Sequence, residues 1–289
     1  MTAIRATAPA KVNLTLHITG QRDDGYHTLD SLVVFADVAD QLMVTTAPEL
    51  QIQVSGPFSN GVPTDDTNLV IRAADVLRKA RDVTLGASIT LEKHLPHAAG
   101  IGSGSADAAT ALAMLAQLWQ VPPLPASSPD VLALGADVPV CMRGPAPMRM
   151  SGIGEIISAA PDLPDCAMVL INPLVDVPTS QIFAGLKTKT NRAMDRIPEG
   201  MDFDSFADWL AQQRNDMMPP ALQIAPEIGA VLDKLGKING VEICSMSGSG
   251  ATCFGLMRSM SEARQVARAL QIANGGWWIA PAQVMRATT

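Results

Sequence analysis

Residues 11–18, KVNLTLHI, alternate strictly, with Val12, Leu14, Leu16 and Ile18 set between Lys11, Asn13, Thr15 and His17. A period of two predicts a half-buried strand, with Lys11 and Asn13 on the same polar face. GQRDDGY, 20–26, reads as a turn or loop from its Gly and Asp content. Strand-like stretches follow at 31–38, 41–46 and 50–54. The period then becomes helical. In NLVIRAADVLRKAR, 68–81, Leu69, Ala73, Val76 and Leu77 share a face, and Asn68 is positioned to cap it. Ile89 and Leu91 alternate in a short strand. The stretch 93–119 opens as a Gly/Ser loop and closes as an Ala-, Leu- and Met-rich buried helix from about Ser105 to Trp119. The proline-rich 121–130 is a loop, and 134–144 runs into a strand-like stretch at 146–150.

APDLPD, near 158–165, separates two patterned halves, giving expected domains of 1–158 and 159–289. The second half opens with a strand at 167–172 and helical pieces near 179–187, 203–214 and 226–236. Paired strands are expected at 241–246 and 251–257 around SGSG, then a helix at 260–272 and a strand at 277–285. Adjacent Trp277 and Trp278 would face opposite sides of that strand. Helices and strands mix without strict βαβ alternation, so the expected class is α+β with two domains.

Composition narrows the function. Apolar residues make up 47% of the 289 and charged residues 17%, which excludes a disordered chain. A net charge of −7 argues against a nucleic-acid binder, which needs a basic surface for phosphates. Cys141, Cys166, Cys244 and Cys253 form no CxxC pair and have no His at zinc-ligand spacing, so buried inert thiols in a reducing compartment are expected. No uncharged apolar run reaches the 18 residues of a membrane span, and the N-terminal stretch lacks a secretory core; the expected location is the cytoplasm.

Four features carry chemistry. Gly100, Gly102 and Gly104 interleave with Ile101, Ser103 and Ser105 directly before a helix. Glycine lets backbone N–H groups approach an anion, and a helix start adds free donors and partial positive charge; the alternative is an ordinary turn. The spacing is neither GxxxxGK[ST] nor GxGxxG, and kinase HRD and DFG, GxSxG and HExxH are all absent. Lys11 with Asp137 supplies a cation and a carboxylate suited to phosphoryl transfer to an alcohol, although each alone also fits a surface charge. SMSGSGAT, 245–252, permits close approach by a ligand or backbone, or is a plain hairpin. Tyr26, the only tyrosine, stands beside His27 in a polar loop; it can stack on a base or fold back onto the core.

In this order, PAKVNLTLHITGQRDDGYHTLDSL (9–32), LPHAAGIGSGSADAATAL (95–112), LGADVPVCMRG with SGIGE (134–155) and MSGSGATCFGL (246–256) resemble the GHMP kinase superfamily. GQRDDGYHTL and LGADVPV point to a narrower branch acting on a cytidine diphosphate-linked polyol. The resemblance spans most of the chain and is weakest at 185–225. It implies a two-domain α+β fold with the active site in the interdomain cleft. The implied reaction moves the ATP γ-phosphoryl group to the 2-hydroxyl of a methylerythritol moiety, in non-mevalonate isoprenoid synthesis.

By the same resemblance Asp137 is the catalytic base and Lys11 its partner. Asn13, Tyr26, His27, Thr179 and Phe183 match the substrate pocket, with Tyr26 and Phe183 sandwiching the cytosine and His27 bonding its edge. Asn68, Leu69 and Lys93 match positions around the adenine. Pro96, Ala98, Ala99, Gly100, Ile101, Gly102, Ser103, Gly104, Ser105 and Ala106 match the triphosphate loop. Mg²⁺ is expected with ATP, but Ala106 stands where the superfamily commonly has a second Ser, so no protein ligand for the ion follows. The link 120–133 is short and proline-rich, which shortens a helix usual there. The implied partner is a small molecule bearing cytidine diphosphate, with no nucleic acid or membrane, bound by a monomer or homodimer. The competing readings are a related kinase for homoserine, mevalonate or a sugar, a silent nucleotide-binding homologue, and a scaffold.

Overall fold

The computed structural model describes residues 3–286. In chain order the first elements are β1 (Ile4–Asn13), β2 (His17–Gln21), β3 (His27–Ala47), β4 (Leu50–Ser55), α1 (Leu69–Ala80), β5 (Gly86–Glu92) and α2 (Ser103–Trp119). Next come α3 (Pro129–Leu134), α4 (Val138–Arg143), β6 (Met148–Gly152), β7 (Ile156–Ala159) and β8 (Ala167–Asn172). The chain continues with α5 (Thr179–Ala184), α6 (Phe203–Ala211), α7 (Met218–Ile224) and α8 (Pro226–Leu235). It closes with β9 (Ile243–Met246), β10 (Cys253–Met257), α9 (Met260–Ala273) and β11 (Trp278–Gln283).

These elements form two compact units that interleave along the chain. The first comprises the described residues through Ala10, Val38–His97 and Gly102–Arg143; the second comprises Lys11–Asp37, Ala98–Ile101 and everything from Gly144.

In the first unit β5 pairs antiparallel with the second half of β3, Leu42 opposite Leu91 and Val44 opposite Ile89, and parallel with β4, Ile52 opposite Ile89. These side chains share a core with Leu77 of α1, Leu112 and Leu115 of α2, Val131 of α3 and Val138 of α4. The helical period predicted α1 well. Its buried residues are Val70, Ile71, Ala73, Ala74 and Leu77, while Leu69 and Val76 lie at the edge of the stripe. Asn68 caps it, its Oδ1 accepting from the Val70 N–H at 2.8 Å. The helix α2 starts at Ser103, two residues before the expected Ser105. After the proline-rich link a six-residue helix, α3, forms, and Asp137 closes the turn before α4, where the sequence predicts an approach to a strand.

In the second unit β11, β8, β10 and β9 form an antiparallel sheet. All six residues of β8 and all five of β10 are buried, so these strands are covered on both faces and read as continuous apolar runs. Their core includes Ile182 of α5, Ala221 of α7, Ile228 and Val231 of α8, and Ala263 and Val266 of α9. A capping box starts α9, Ser259 and Glu262 each bonding the other's backbone N–H. The first half of β3 pairs with β2 and with β6, and β6 with β7.

The stretch 11–18 is not one half-buried strand. All eight residues are buried, and β1 stops at Asn13 because the backbone changes partners: Leu14 donates to Leu32 O at 2.9 Å and Leu16 to Arg214 O at 2.9 Å. The expected strands 31–38 and 41–46 are parts of the continuous β3. The last strand begins at Trp278, and both tryptophans are half-buried, the Lys234 ammonium standing 4.9 Å over the Trp277 ring. Burial pushes the thiols of Cys166 and Cys253 well up, Cys166 to about 12, as expected for inert core cysteines, whereas Cys141 and Cys244 are only half-buried. No helix among the described residues is long and apolar enough to cross a membrane.

Candidate active site

The second unit gathers one half of the predicted site around two glycine turns. Lys11 and Asn13, two apart on β1, are joined directly, the ammonium donating to Asn13 Oδ1 at 2.7 Å. Asn13 Nδ2 donates to Ser31 Oγ at 2.8 Å, and the Asn13 N–H to Ser247 Oγ at 3.0 Å. Ser247 Oγ in turn donates to Gly100 O at 2.8 Å. Lys11 N–H reaches Ile101 O at 2.9 Å, and Thr252 N–H reaches Ala99 O at 3.2 Å. The 98–101 segment is therefore stitched to β1 on one side and to the 246–252 turn on the other. A buried Lys and Asn are costly unless bonded, and here both have partners.

Gly100 is required by this packing. Its φ is +75°, and a Cβ there would collide with the Ser247 carbonyl and lie 2.8 Å from Gly250 O. Gly100→Ala is expected to lower the stability of the second unit by roughly 2–4 kcal/mol, combining left-handed strain and overpacking. Urea unfolding within about 0.5 kcal/mol of the parent would show that the turns relax apart freely.

Asn215, which the sequence reading missed, holds the opposite side of the turn. Its Nδ2 donates to Met246 O at 2.7 Å and Gly248 O at 2.9 Å, and its Oδ1 accepts from Met217 N–H at 2.9 Å. A lone Asn before MMPP carries no sequence signal for that role. Thr179, at the start of α5, shares a 2.9 Å hydrogen bond with Ser249 Oγ of the same turn. Further along α5, the Phe183 ring stacks on His27 with centroids 4.7 Å apart and planes 14° from parallel. His27 is held below the ordinary imidazole range, first by burial and then by the charge of Lys189. Its Nε2 is buried without a partner. Tyr26 beside it is 62% exposed. The expected aromatic pair is Tyr26 with Phe183; in the structure it is His27 that stacks on Phe183, with Tyr26 facing solvent.

The first unit holds the other half. Asn68 and Leu69 stand at the start of α1, the Asn68 amide bonded to Pro63 O at 2.6 Å as well as capping the helix. Gly102, in the left-handed region, precedes α2 with no side-chain cap and no acidic residue in the first turn. The N–H donors of that turn therefore lack an internal anion. Gly104 is exposed, and open space surrounds the position of its missing Cβ. Ser103 Oγ turns back to Pro96 O at 3.3 Å. Ala106 is buried, Ser105 half-buried, and Asp137 half-buried in the turn ahead of α4.

Lys93 departs from its expected surroundings. Its ammonium goes to the buried carboxylates of Asp40 and, at 2.7 Å, Asp107, while its backbone N–H and C=O are taken by Ser55 O and the Phe58 N–H. Its side chain is 2% exposed, so it belongs to the frame of the first unit. Among the described residues no cluster of three or more His, Cys, Asp or Glu could hold a metal ion.

Comparison with known proteins fits this arrangement. Residues 68–146 match the GHMP kinases N terminal domain and residues 193–275 the GHMP kinases C terminal domain. The chain belongs to the GHMP kinase family, the class of small-molecule kinases that this two-unit α+β fold and glycine-bounded loop define. Along its whole length it is similar to 4-diphosphocytidyl-2-C-methyl-D-erythritol kinases. It is 52% identical to that of Cereibacter sphaeroides, covering 97% of this chain and 99% of the relative. It is 48% identical to that of Paramagnetospirillum magneticum, covering 99% and 100%. A crystal structure of 4-(cytidine 5'-diphospho)-2C-methyl-D-erythritol kinase aligns with a TM-score of 0.77 at 31% identity, covering 98% of this chain and 100% of that one.

Proposed function

We infer that the chain uses ATP to phosphorylate the 2-hydroxyl of 4-diphosphocytidyl-2-C-methyl-D-erythritol in non-mevalonate isoprenoid precursor synthesis. The observation that carries this is the 52% identity over 97% of the chain to a kinase of that name. In this reading Asp137 takes the proton of the acceptor hydroxyl, and Lys11 holds the developing charge and the hydroxyl in position. Asn13 and Thr179 orient the polyol diphosphate. Tyr26 and Phe183 flank the cytosine, and neutral His27 bonds its edge. The buried, unpartnered His27 Nε2 supports that role, since such an atom is costly until a ligand meets it.

Asn68 and Leu69 border the adenine, and the segment from Pro96 and Ala98 through Ala106 cradles the phosphates, which the uncapped α2 start favours. Mg²⁺ accompanying ATP would supply neutralisation of the phosphate charge beside this loop. In this reading the N-terminal ATP-binding and C-terminal family domains meet at 158/159, between the two family matches, while the compact units interleave across that boundary. The protein works in the cytoplasm, in keeping with its buried, unbridged Cys166 and Cys253.

The test is ADP release by the purified protein with MgATP and the cytidyl substrate, beside homoserine, mevalonate and galactose. Turnover confined to the cytidyl substrate is the expected result; turnover of another alcohol overturns the cytosine pocket. Tyr26→Ala is expected to raise KM for the cytidyl substrate by about tenfold, within the 1–3 kcal/mol of base stacking, with KM for ATP unchanged. Equal loss of both would assign Tyr26 to folding.

A further inference from the structure

Three charged side chains, Asp40, Lys93 and Asp107, meet in the interior of the first unit at 0%, 2% and 3% side-chain exposure. One cation faces two carboxylates, so a fully ionised cluster carries a buried net charge of −1. Asp40 is satisfied. Its Oδ1 accepts from the His94 N–H at 2.6 Å and the Leu95 N–H at 2.9 Å, and its Oδ2 takes the Lys93 ammonium. Asp107 is not: Lys93 meets its Oδ2 at 2.7 Å, while its Oδ1 is buried without a partner. Lys93 donates to one oxygen of each carboxylate, and the cluster lacks a further donor for the second carboxylate. A proton on Asp107 supplies that donor and cancels the excess charge.

The cluster ties two segments together. Asp107 lies on α2 directly after Ala106, the last of the proposed phosphate-binding residues, and Asp40 grips the backbone at 94–95. Ser103, the first residue of α2, is tethered to Pro96 of that same segment. The start of α2 is thus fixed to the 94–96 backbone at Ser103 and again at Asp107.

We propose that Asp40, Lys93 and Asp107 form a positioning clamp for ATP, in which a proton held on Asp107 keeps the first turns of α2 set for the phosphates. The proposal rests on the assignment of that helix start to ATP; none of the three side chains is asked to touch the nucleotide. Burial, opposed by Lys93 and reinforced by Asp40, pushes Asp107 up to about 7, so the proton is lost within the working pH range. Lys93 and Asp40 are the charges that act on it. On α1, packed against α2, Asp75 pairs with Arg78 while Arg72 and Lys79 are exposed; on α4 the charged residue, Arg143, is exposed. His94, beside the clamp, pairs with Glu92 at 3.0 Å, so the test must separate it from Asp107.

Asp107→Asn does so, because the amide retains shape and donor but cannot ionise. The dissociation constant for MgATP is measured by calorimetry without acceptor from pH 6 to 9, on the intact protein and on Asp107→Asn and Asp107→Ala. Infrared difference spectra over the same range report a buried carboxylic acid. The expected result is parent affinity that weakens at least about fivefold as pH rises, an ordinary size for coupling between sites. Asp107→Asn should hold the low-pH affinity throughout, Asp107→Ala should bind weakly at every pH, and the acid band should titrate near neutrality only in the parent. Affinity that ignores both pH and Asp107→Asn overturns the clamp alone, as does a pH dependence surviving in Asp107→Asn. Absence of MgATP binding by the parent at every pH overturns the kinase reading and the clamp with it.

Discussion

Asp137→Asn is expected to lower kcat by about 10²–10⁴-fold while leaving MgATP affinity unchanged. Phosphoryl transfer asks little covalent chemistry of the protein; it asks for position, and for charge where the attacking oxygen loses its proton. A carboxylate meets the second need and an amide does not. The substitution keeps the backbone intact, because the turn is set by main-chain bonds: Val138 N–H to Gly135 O at 3.0 Å, and Cys141 N–H to Asp137 O at 3.1 Å. The half-buried side chain also accepts an isostere without leaving a cavity. Single-turnover kinetics with a saturating acceptor separate the chemical step from product release. A single-turnover rate within about threefold of the parent, less than general acid–base catalysis supplies, would remove Asp137 as the base.

What the sequence discloses follows from how local each cause is. The cap and apolar stripe of α1 are local and legible, and so is the Lys11–Asn13 pair, because residues two apart on a strand share a face. The burial of that face was not legible, since a polar alternation looks the same whether it meets water or a network through Ser31 and Ser247. The helices α4 and α7 were missed because Pro139, and Pro219 with Pro220, signal turns, although proline is tolerated in a first helical turn. The long β3 was read as two strands because Asp37 and Asp40 break its apolar run. Asp40 does so because its carboxylate is spent on Lys93 and on two backbone N–H groups. Asp40, Lys93 and Asp107 come from separate elements, and no spacing in the sequence joins them. The available signal was Asp107 itself, an acid inside the Ala- and Leu-rich run of a buried helix.

Lys93→Met tests the energetics of that cluster and should be the most destabilising of these changes, by about 3–5 kcal/mol near pH 8. Methionine fills the space of the lysine stem but leaves two carboxylates facing each other without a cation. The loss should depend on pH in a definite sense. An unfolded Asp releases its proton near pH 4, whereas folded Asp107 keeps it to about 7, so the folded state binds more protons between those limits. Asp107 therefore contributes most to stability below pH 4, and that contribution declines as pH rises to 7 and is then exhausted. Lys93 is what stops the decline there, since its charge draws Asp107 downward. Without it Asp107 holds its proton to higher pH, and stability should keep falling above pH 7 by about 1.4 kcal/mol per pH unit for that retained proton. Urea unfolding at pH 5, 7 and 9 reads this directly: near-parent stability at pH 5, with a gap that widens to pH 9. Adding Asp107→Asn to Lys93→Met should close much of the gap, because one buried charge then disappears. A Lys93→Met protein as stable as the parent at pH 9 would mean that the cluster is reached by water, and that its three charges do not depend on one another.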